Sequence, residues 1–405
     1  MSYSVEPAQG GVTAPDGFRS ASLHSGIKAK TGALDLAVLA ADTVGTAAGL
    51  FTTNLAKAAP VLVSQRHLAK SGGRARAVVV NSGCANACTG DDGMANALRM
   101  TTETAQAIGC APEEVLVAST GVIGVGLKMD RVVPGIRGAA AALARDKGAE
   151  MARAIMTTDP FPKDHAVVVR TSRGHFHVGG TAKGSGMIEP NMATMLGFLT
   201  TDAAVPPALL QRALQESARR TFNAITVDGE CSTNDCVFAL ASGANGVTVD
   251  EELYPALQAA FYEVSKALAI GIVRGGEGAT KLITISVRHA RTLADAMQVA
   301  KTIANSPLVK TAVHGADPNW GRIVAAAGRS GVLFDVDRAT VRVGGVLLFE
   351  QGLPHDDAAP EAATHLKGSE VCIDVDLGAG GDESATVWTC DLSAEYVRIN
   401  GEYRT

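Results

Sequence analysis

Near the middle of the chain, residues 183–200 read KGSGMIEPNMATMLGFLT. Lys183 precedes a Gly184-Ser185-Gly186 turn, and Pro190 interrupts the backbone just before Ala193-Thr194. A small residue ahead of a threonine, entered through a Gly- and Pro-bent segment, suits a backbone cut that leaves threonine at a new N-terminus. Such a threonine carries a hydroxyl nucleophile and, in its free α-amine, the base to activate it. Taken by itself the stretch reads first as a loop entering a strand, with Thr194 an ordinary β-former. Other groups must shift that balance. Thr120-Gly121 heads the run GVIGVG (121–126); a hydroxyl and a main-chain N–H side by side are two donors for one oxygen, as an oxyanion requires. In GGEGATK (275–281), Glu277 sits between glycines, where it suits an ammonium group better than a phosphate. None of the glycine turns has the spacing of a dinucleotide or phosphate loop.

These residues need elements to hold them. The apolar runs at 15–63 suggest strands, with Lys28 and Thr52-Thr53-Asn54 near strand ends. RAVVV (76–80) predicts a buried strand, followed by the turn NSGCANACTG and a helix over about 92–108. A strand at 113–120 leads into Thr120. Helices are expected at about 130–146 and 148–156, where Pro160 and Pro162 end the pattern and expose Thr157, Thr158 and Asp159 in a loop. A hairpin (HAVVVRT, HFHVGGTA) delivers Lys183, and MLGFL reads as the strand after Thr194. A helix at 206–220 precedes ITVDGECSTND, expected as a strand and a polar turn in which Ser232, Thr233, Asn234 and Asp235 read as a capped loop. A strand follows, then a helix at about 249–273. The rhythm changes at 280, where strand 280–287, a helix, strand LVKTAVHG, a helix, strands near 331–335 and 340–349, and loop 351–367 suggest a smaller α/β subdomain. Two final strands precede AEYVRINGEYRT, an ending that places Asn400 and Thr405 where burial would give them a role.

The 405 residues, 46% hydrophobic and only 4% aromatic with 44 glycines, provide one large or two moderate domains packed mainly from Ala, Val, Leu and Gly. A formal net charge of −5 argues against a nucleic-acid or anionic-membrane surface. No apolar span of membrane length and no signal sequence are read. Seven cysteines without a CxxC pair indicate neither a disulfide framework nor a zinc site. This is the profile of a cytoplasmic, metal-free protein.

Eight segments in order, NSGCANACTG, STGVIG, IMTTDPFPK, KGSGMIEPNMATML, FNAITVDGECSTND, GGEGATK, SPLVKTAVHGADPNWGR and YVRINGEYRT, resemble the glutamate N-acetyltransferase (ornithine acetyltransferase, ArgJ) family of arginine biosynthesis, over essentially the whole chain. The resemblance implies an α/β/β/α sandwich of the DmpA/ArgJ-like type with a smaller α/β subdomain at about 285–350. It implies self-cleavage between Ala193 and Thr194 into an α chain (1–193) and a β chain (194–405), which assemble as a heterotetramer of two of each. It further implies that Thr194 takes acetyl from N2-acetyl-L-ornithine and passes it to L-glutamate through an acetyl-threonine intermediate, without a cofactor. Bifunctional members also accept acetyl-CoA. By the same resemblance Thr120 and Gly121 form the oxyanion hole, and Thr157, Lys183, Thr194, Glu277, Asn400 and Thr405 bind substrate. One departure is Glu189, at a position associated with histidine in many members, which would mark a subgroup with a different acyl donor. The alternatives are an N-terminal-threonine amidase or aminopeptidase, a paralogue of specialised metabolism, and a non-catalytic metabolite-binding protein.

Overall fold

A computed structural model describes residues 2–189 and 195–402. Two compact units emerge, one from residues 1–223 and 230–272, the other from 224–229 and 273–404. The first contains strands β1 (Tyr3–Ala8), β2 (Phe18–Leu23), β3 (Leu36–Phe51), β4 (Arg74–Cys84), β5 (Val115–Val122), β6 (Lys163–Thr171), β7 (Gly174–Lys183), β8 (Leu196–Thr201) and β9 (Cys236–Ala241). Its helices are α1 (Ala59–Ser71), α2 (Gly90–Ile108), α3 (Met129–Ala141), α4 (Gly148–Ala154), α5 (Pro207–Arg220) and α6 (Tyr254–Arg274).

The strands join in the order β1-β6-β7-β8-β9-β3-β4-β5, with β2 also on β3. The pivot is β3. Residues 36–41 pair with β2 and residues 36–46 with β4, whereas residues 46–51 pair with β9. This one strand thus serves two halves of the sheet, and the halves stack. Leu39 of β3, Val78 and Val80 of β4 and Leu116 of β5 share a core with Phe198 of β8 and Phe238 and Leu240 of β9. Burying each such side chain contributes about 1.5–3 kcal/mol. The opposite face of the β2–β5 half, through Val38, Val79 and Val117, is covered by Val63 of α1, Met100 of α2 and Ile136 of α3. On the far side Gly180 of β7 lies against Val264 and Leu268 of α6. The layers are therefore α/β/β/α, as expected. Residues 36–41 of β3 are buried on both faces, and there its sequence is an unbroken run of Leu, Ala and Val rather than an alternating one. Helix α6 is long and apolar enough to cross a membrane, yet Leu257, Phe261, Val264, Leu268 and Ile272 are buried at helical spacing, as in a core helix.

The second unit has strands β10 (Leu282–Ala290), β11 (Thr340–Val343), β12 (Val346–Glu350), β13 (Leu353–Pro354), β14 (Glu370–Asp376) and β15 (Glu383–Cys390), ordered β13-β12-β11-β14-β10-β15. Helices α7 (Leu293–Ala304), α8 (Pro307–His314), α9 (Trp320–Gly328), α10 (Ala359–Leu366) and α11 (Ala394–Glu402) accompany them. Ile283, Ile285 and Ile373 meet Val299, Ile303, Val313 and Ile323 in its core.

Several elements differ from expectation. LVKTAVHG is helix α8, because Ser306 caps it by accepting from the Val309 N–H and Pro307 supplies the preset first turn. Segment 351–367 holds α10, again begun by a proline at its N-terminus. Residues 59–63, within the stretch expected as strands, instead open helix α1. Residues 331–335 are irregular, and Ile225 makes only an isolated bridge with Trp388 instead of a strand.

Candidate active site

Strands β4 and β5 are parallel and end side by side, Ser82 opposite Thr120 and Gly83 opposite Gly121. Ligands commonly sit beyond the carboxyl ends of such strands. Here the two backbones touch: a Cβ on Gly121 (φ 126°) would lie 2.4 Å from the Gly83 carbonyl carbon. Only glycine permits that approach. Beneath the turn lies a buried amide network. Ser119 Oγ donates to Asn81 Oδ1 at 2.6 Å, and Asn81 Nδ2 donates to the Cys84 carbonyl at 2.9 Å. Asn234 Nδ2 reaches the carbonyls of Ala85 (2.6 Å) and Ser119 (2.9 Å), while Thr233 Oγ1 donates to Asn234 Oδ1 at 2.6 Å. The polar turn at 232–235 is thus more than a cap, since it braces the strand that ends in Thr120.

Lys183 closes β7 and is buried, its Nζ donating to Thr120 Oγ1 over a long 3.4 Å. Below it lies Asp159. Sequence reasoning exposed this residue in a loop; instead its side chain is fully enclosed, paired with Lys163 Nζ at 2.7 Å. The same carboxylate accepts from the N–H groups of Gly184 (2.8 Å) and Thr157 (3.0 Å). Burial would push the Asp159 pKa up, but the charges of Lys183 and Lys163 and these hydrogen bonds outweigh it and hold it at about 2. Burial pushes Lys163 down, against the pull of Asp159. Lys28, half-buried, donates to the carbonyls of Leu34 (2.8 Å) and Ala154 (3.4 Å). Its burial lowers its pKa to about 8, opposed by Asp35 and Asp159 and reinforced by Lys183.

Through Asp159 the structure ties Lys183 to the loop carrying Thr157, and through Lys183 it ties both to Thr120. Thr157 and Thr158 are both half-buried. Asp159 and Lys163 were missed as site residues, although an acid and a base flanking P-F-P just before the apolar run HAVVV is a pattern a buried pair would leave. Glu189, the departure from the family pattern, donates its N–H to the Glu230 carbonyl at 2.7 Å. Ala193, Thr194 and Thr405 lie outside the described residues.

Glu277 and Asn400 belong to the second unit and meet there. Asn400 Nδ2 donates to Glu277 Oε2 at 2.7 Å and to the Tyr396 carbonyl at 3.0 Å. Glu277 is buried. Its loop is clamped to the start of α11: Ser393 Oγ donates to the Gly278 carbonyl at 2.6 Å, and a Cβ on Gly278 (φ 68°) would lie 2.5 Å from the Tyr396 nitrogen. All seven cysteines are unpaired.

The model of the ArgJ family matches residues 19–405. The chain is 50% identical over 407 aligned positions to the arginine biosynthesis bifunctional protein ArgJ of Symbiobacterium thermophilum, covering 99% of this chain and 100% of that one. To the protein of the same name from Dehalococcoides mccartyi it is 48% identical over 400, covering 98% of each. The crystal structure of the arginine biosynthesis bifunctional protein ArgJ from Bacillus halodurans superposes with a TM-score of 0.50 at 42% identity, covering 52% of this chain and 100% of that one. The motifs, the two-sheet fold and these matches agree: the chain belongs to the ArgJ family.

Proposed function

We propose that the protein is a self-processing acyltransferase of arginine biosynthesis, cytoplasmic, moving acetyl from N2-acetyl-L-ornithine to L-glutamate. The observation that carries this reading is the buried Lys183–Thr120 contact. Lys183 donates into a lone pair of the Thr120 hydroxyl, which leaves the hydroxyl proton free to point at a developing oxyanion alongside the Gly121 N–H. In the assigned cycle, Thr194 attacks the Ala193 carbonyl, and water resolves the resulting ester into two chains. The freed α-amine, with a reference pKa of about 7.7–8.0, serves as general base near working pH. Thr194 Oγ then attacks the acetyl carbonyl of the donor, ornithine departs, and the glutamate amine takes the acetyl group.

Lys183 receives the substrate α-carboxylate, with Thr157 beside it, and Glu277, held by Asn400, receives the distal ammonium of ornithine. Thr405 completes the assigned set. The half-length chain of the Bacillus halodurans structure supports the cut, because its match covers 52% of this chain and residues 194–405 are 212 of 405, the same share. The relatives' name, "bifunctional", supports a second activity, which we assign to acetyl-CoA as an alternative donor.

The test supplies acetyl-ornithine with and without glutamate. Acetyl-glutamate formed only with glutamate present is expected, and free acetate instead would make the protein a hydrolase. Thr194→Ala should remain a single band on a denaturing gel and transfer nothing.

A further inference from the structure

A ping-pong site of this kind has an electrostatic problem. Its donor carries one carboxylate and a distal ammonium, whereas its acceptor, glutamate, carries a carboxylate at each end. A group that holds the ammonium repels the second carboxylate, so the acceptor needs a cation of its own. From the arrangement around Gly83 we infer that Lys28 is that cation, an acceptor-specificity residue that takes the side-chain carboxylate of an α-amino dicarboxylic acid. This inference rests on the acetyl-transfer reading above.

Three observations place Lys28. Its stem lies over Gly83: a Cβ built there would be 3.0 Å from Lys28 Cγ, and Gly83 itself abuts Gly121, the assigned oxyanion donor. The stem thus flanks the turn where the acyl group would react, and the ammonium reaches the Ala154 carbonyl, which also accepts from Ser82 Oγ at 2.5 Å, one residue before Gly83. Second, the cluster carries surplus positive charge. Lys28, Lys163 and Lys183 face two carboxylates, Asp35 and Asp159. The Asp35 oxygens are occupied by the N–H groups of Ser25 (2.6 Å), Ile27 (2.8 Å) and Lys28 (3.1 Å), and those of Asp159 by Lys163, Gly184 and Thr157. Neither acid hydrogen-bonds the ammonium of Lys28 or Lys183, which leaves two cations for the two carboxylates of glutamate. Third, among the described residues Lys28 Nζ spends two donors on carbonyls, one of them weakly at 3.4 Å, and an ammonium has three. A pKa of about 8, lowered by burial, leaves it protonated near neutrality and adds to the gain from binding an anion.

The experiment compares glutamate with glutamine as acetyl acceptor in wild type, Lys28→Met and Lys28→Arg, with acetyl-ornithine as donor. In Lys28→Met the KM for glutamate should rise by about ten- to a hundredfold, as expected for losing a charged hydrogen bond, and the preference for glutamate over glutamine should collapse. The KM for acetyl-ornithine should move far less. Lys28→Arg should retain most of the preference. Should Lys28→Met fail to fold, Lys28→Gln keeps a donor for the Leu34 and Ala154 carbonyls while removing the charge, and gives the same readout. An unchanged preference in the uncharged variants, or an equal rise in both KM values, overturns the assignment of Lys28 alone. Failure of the wild type to acetylate glutamate overturns the acetyl-transfer reading and this one with it.

Discussion

Replacing Asp159 by asparagine removes one negative charge from the enclosed cluster while keeping the shape of the side chain. The carboxylate binds Lys163 at 2.7 Å and two backbone N–H groups, and its pKa of about 2 lies below the ordinary 3.8. That difference corresponds to about 2 kcal/mol of native stability. Taking one partner from a buried ion pair costs about 3–5 kcal/mol, because the survivor is left desolvated. Asparagine still offers one oxygen to Thr157 or Gly184, so the loss should fall near the lower end, about 3 kcal/mol. For a chain of 405 residues, with about 2.1 cal/mol/K of unfolding entropy per residue, that is a fall in Tm of roughly 3–4 °C. Thermal unfolding across a pH series is the assay. The carboxyl is depressed in the folded state, so its contribution is full above the unfolded value of 3.8 and disappears as pH drops toward 2. The gap between wild type and Asp159→Asn should therefore be constant from about pH 5 upward and narrow below 4. Lys163→Met added to Asp159→Asn should cost less than the two single losses together, since the Lys163 charge is then no longer buried without its direct partner. A Tm within about 1 °C of wild type at pH 7, or a gap that widens in acid, would refute the account of a structural ion pair.

Gly121→Ala should destabilise the first unit by more than about 3 kcal/mol, or prevent folding, because its Cβ would fall 2.4 Å from Gly83; soluble yield and Tm report it. Asn234→Ala strips the brace from the Ala85 and Ser119 carbonyls, and should lower kcat by about ten- to a hundredfold with little change in either KM, as measured by steady-state kinetics. Glu277→Gln keeps the contact with Asn400 but not the charge, and should raise the KM for acetyl-ornithine by about tenfold.

The placement of Thr120 and Gly121 at the end of a buried strand was legible because its determinants are local: an apolar strand, a threonine and a glycine run. Lys183 and Glu277 were legible for their charge and their glycine neighbours, although only the family pattern gave them weight. Asp159 was misread for a physical reason. Proline on its flank signals exposure, and the partners that bury it lie four residues away in Lys163 and twenty-five away in Gly184. Helix α8 was missed because LVKTAVHG read as a strand without the Ser306-Pro307 start ahead of it, and α10 because the prolines of 351–367 read as loop when one of them starts the helix. The part played by Asn234 could not be read locally, since its two acceptors lie more than a hundred residues earlier in the chain.

The long strand β3 has a consequence for the proposed cut. Residues 46–51 of β3 are laddered to 236–241 of β9, and residues 178–183 of β7 to 196–201 of β8. Each ladder joins a strand from before position 193 to one from after it, on both sides of the break. Opening the backbone there would release no loose piece. The two products would be woven through each other like the warp and weft of one cloth, with Leu39 and Phe198 in the same apolar layer although on different polypeptides. Neither half would hold the complete nine-stranded sheet, so each made alone should aggregate, while co-expression from two messages should restore the whole. The peptide bond at 193–194 would then serve to bring equal amounts of the two halves together, and would be dispensable once the sheet stands.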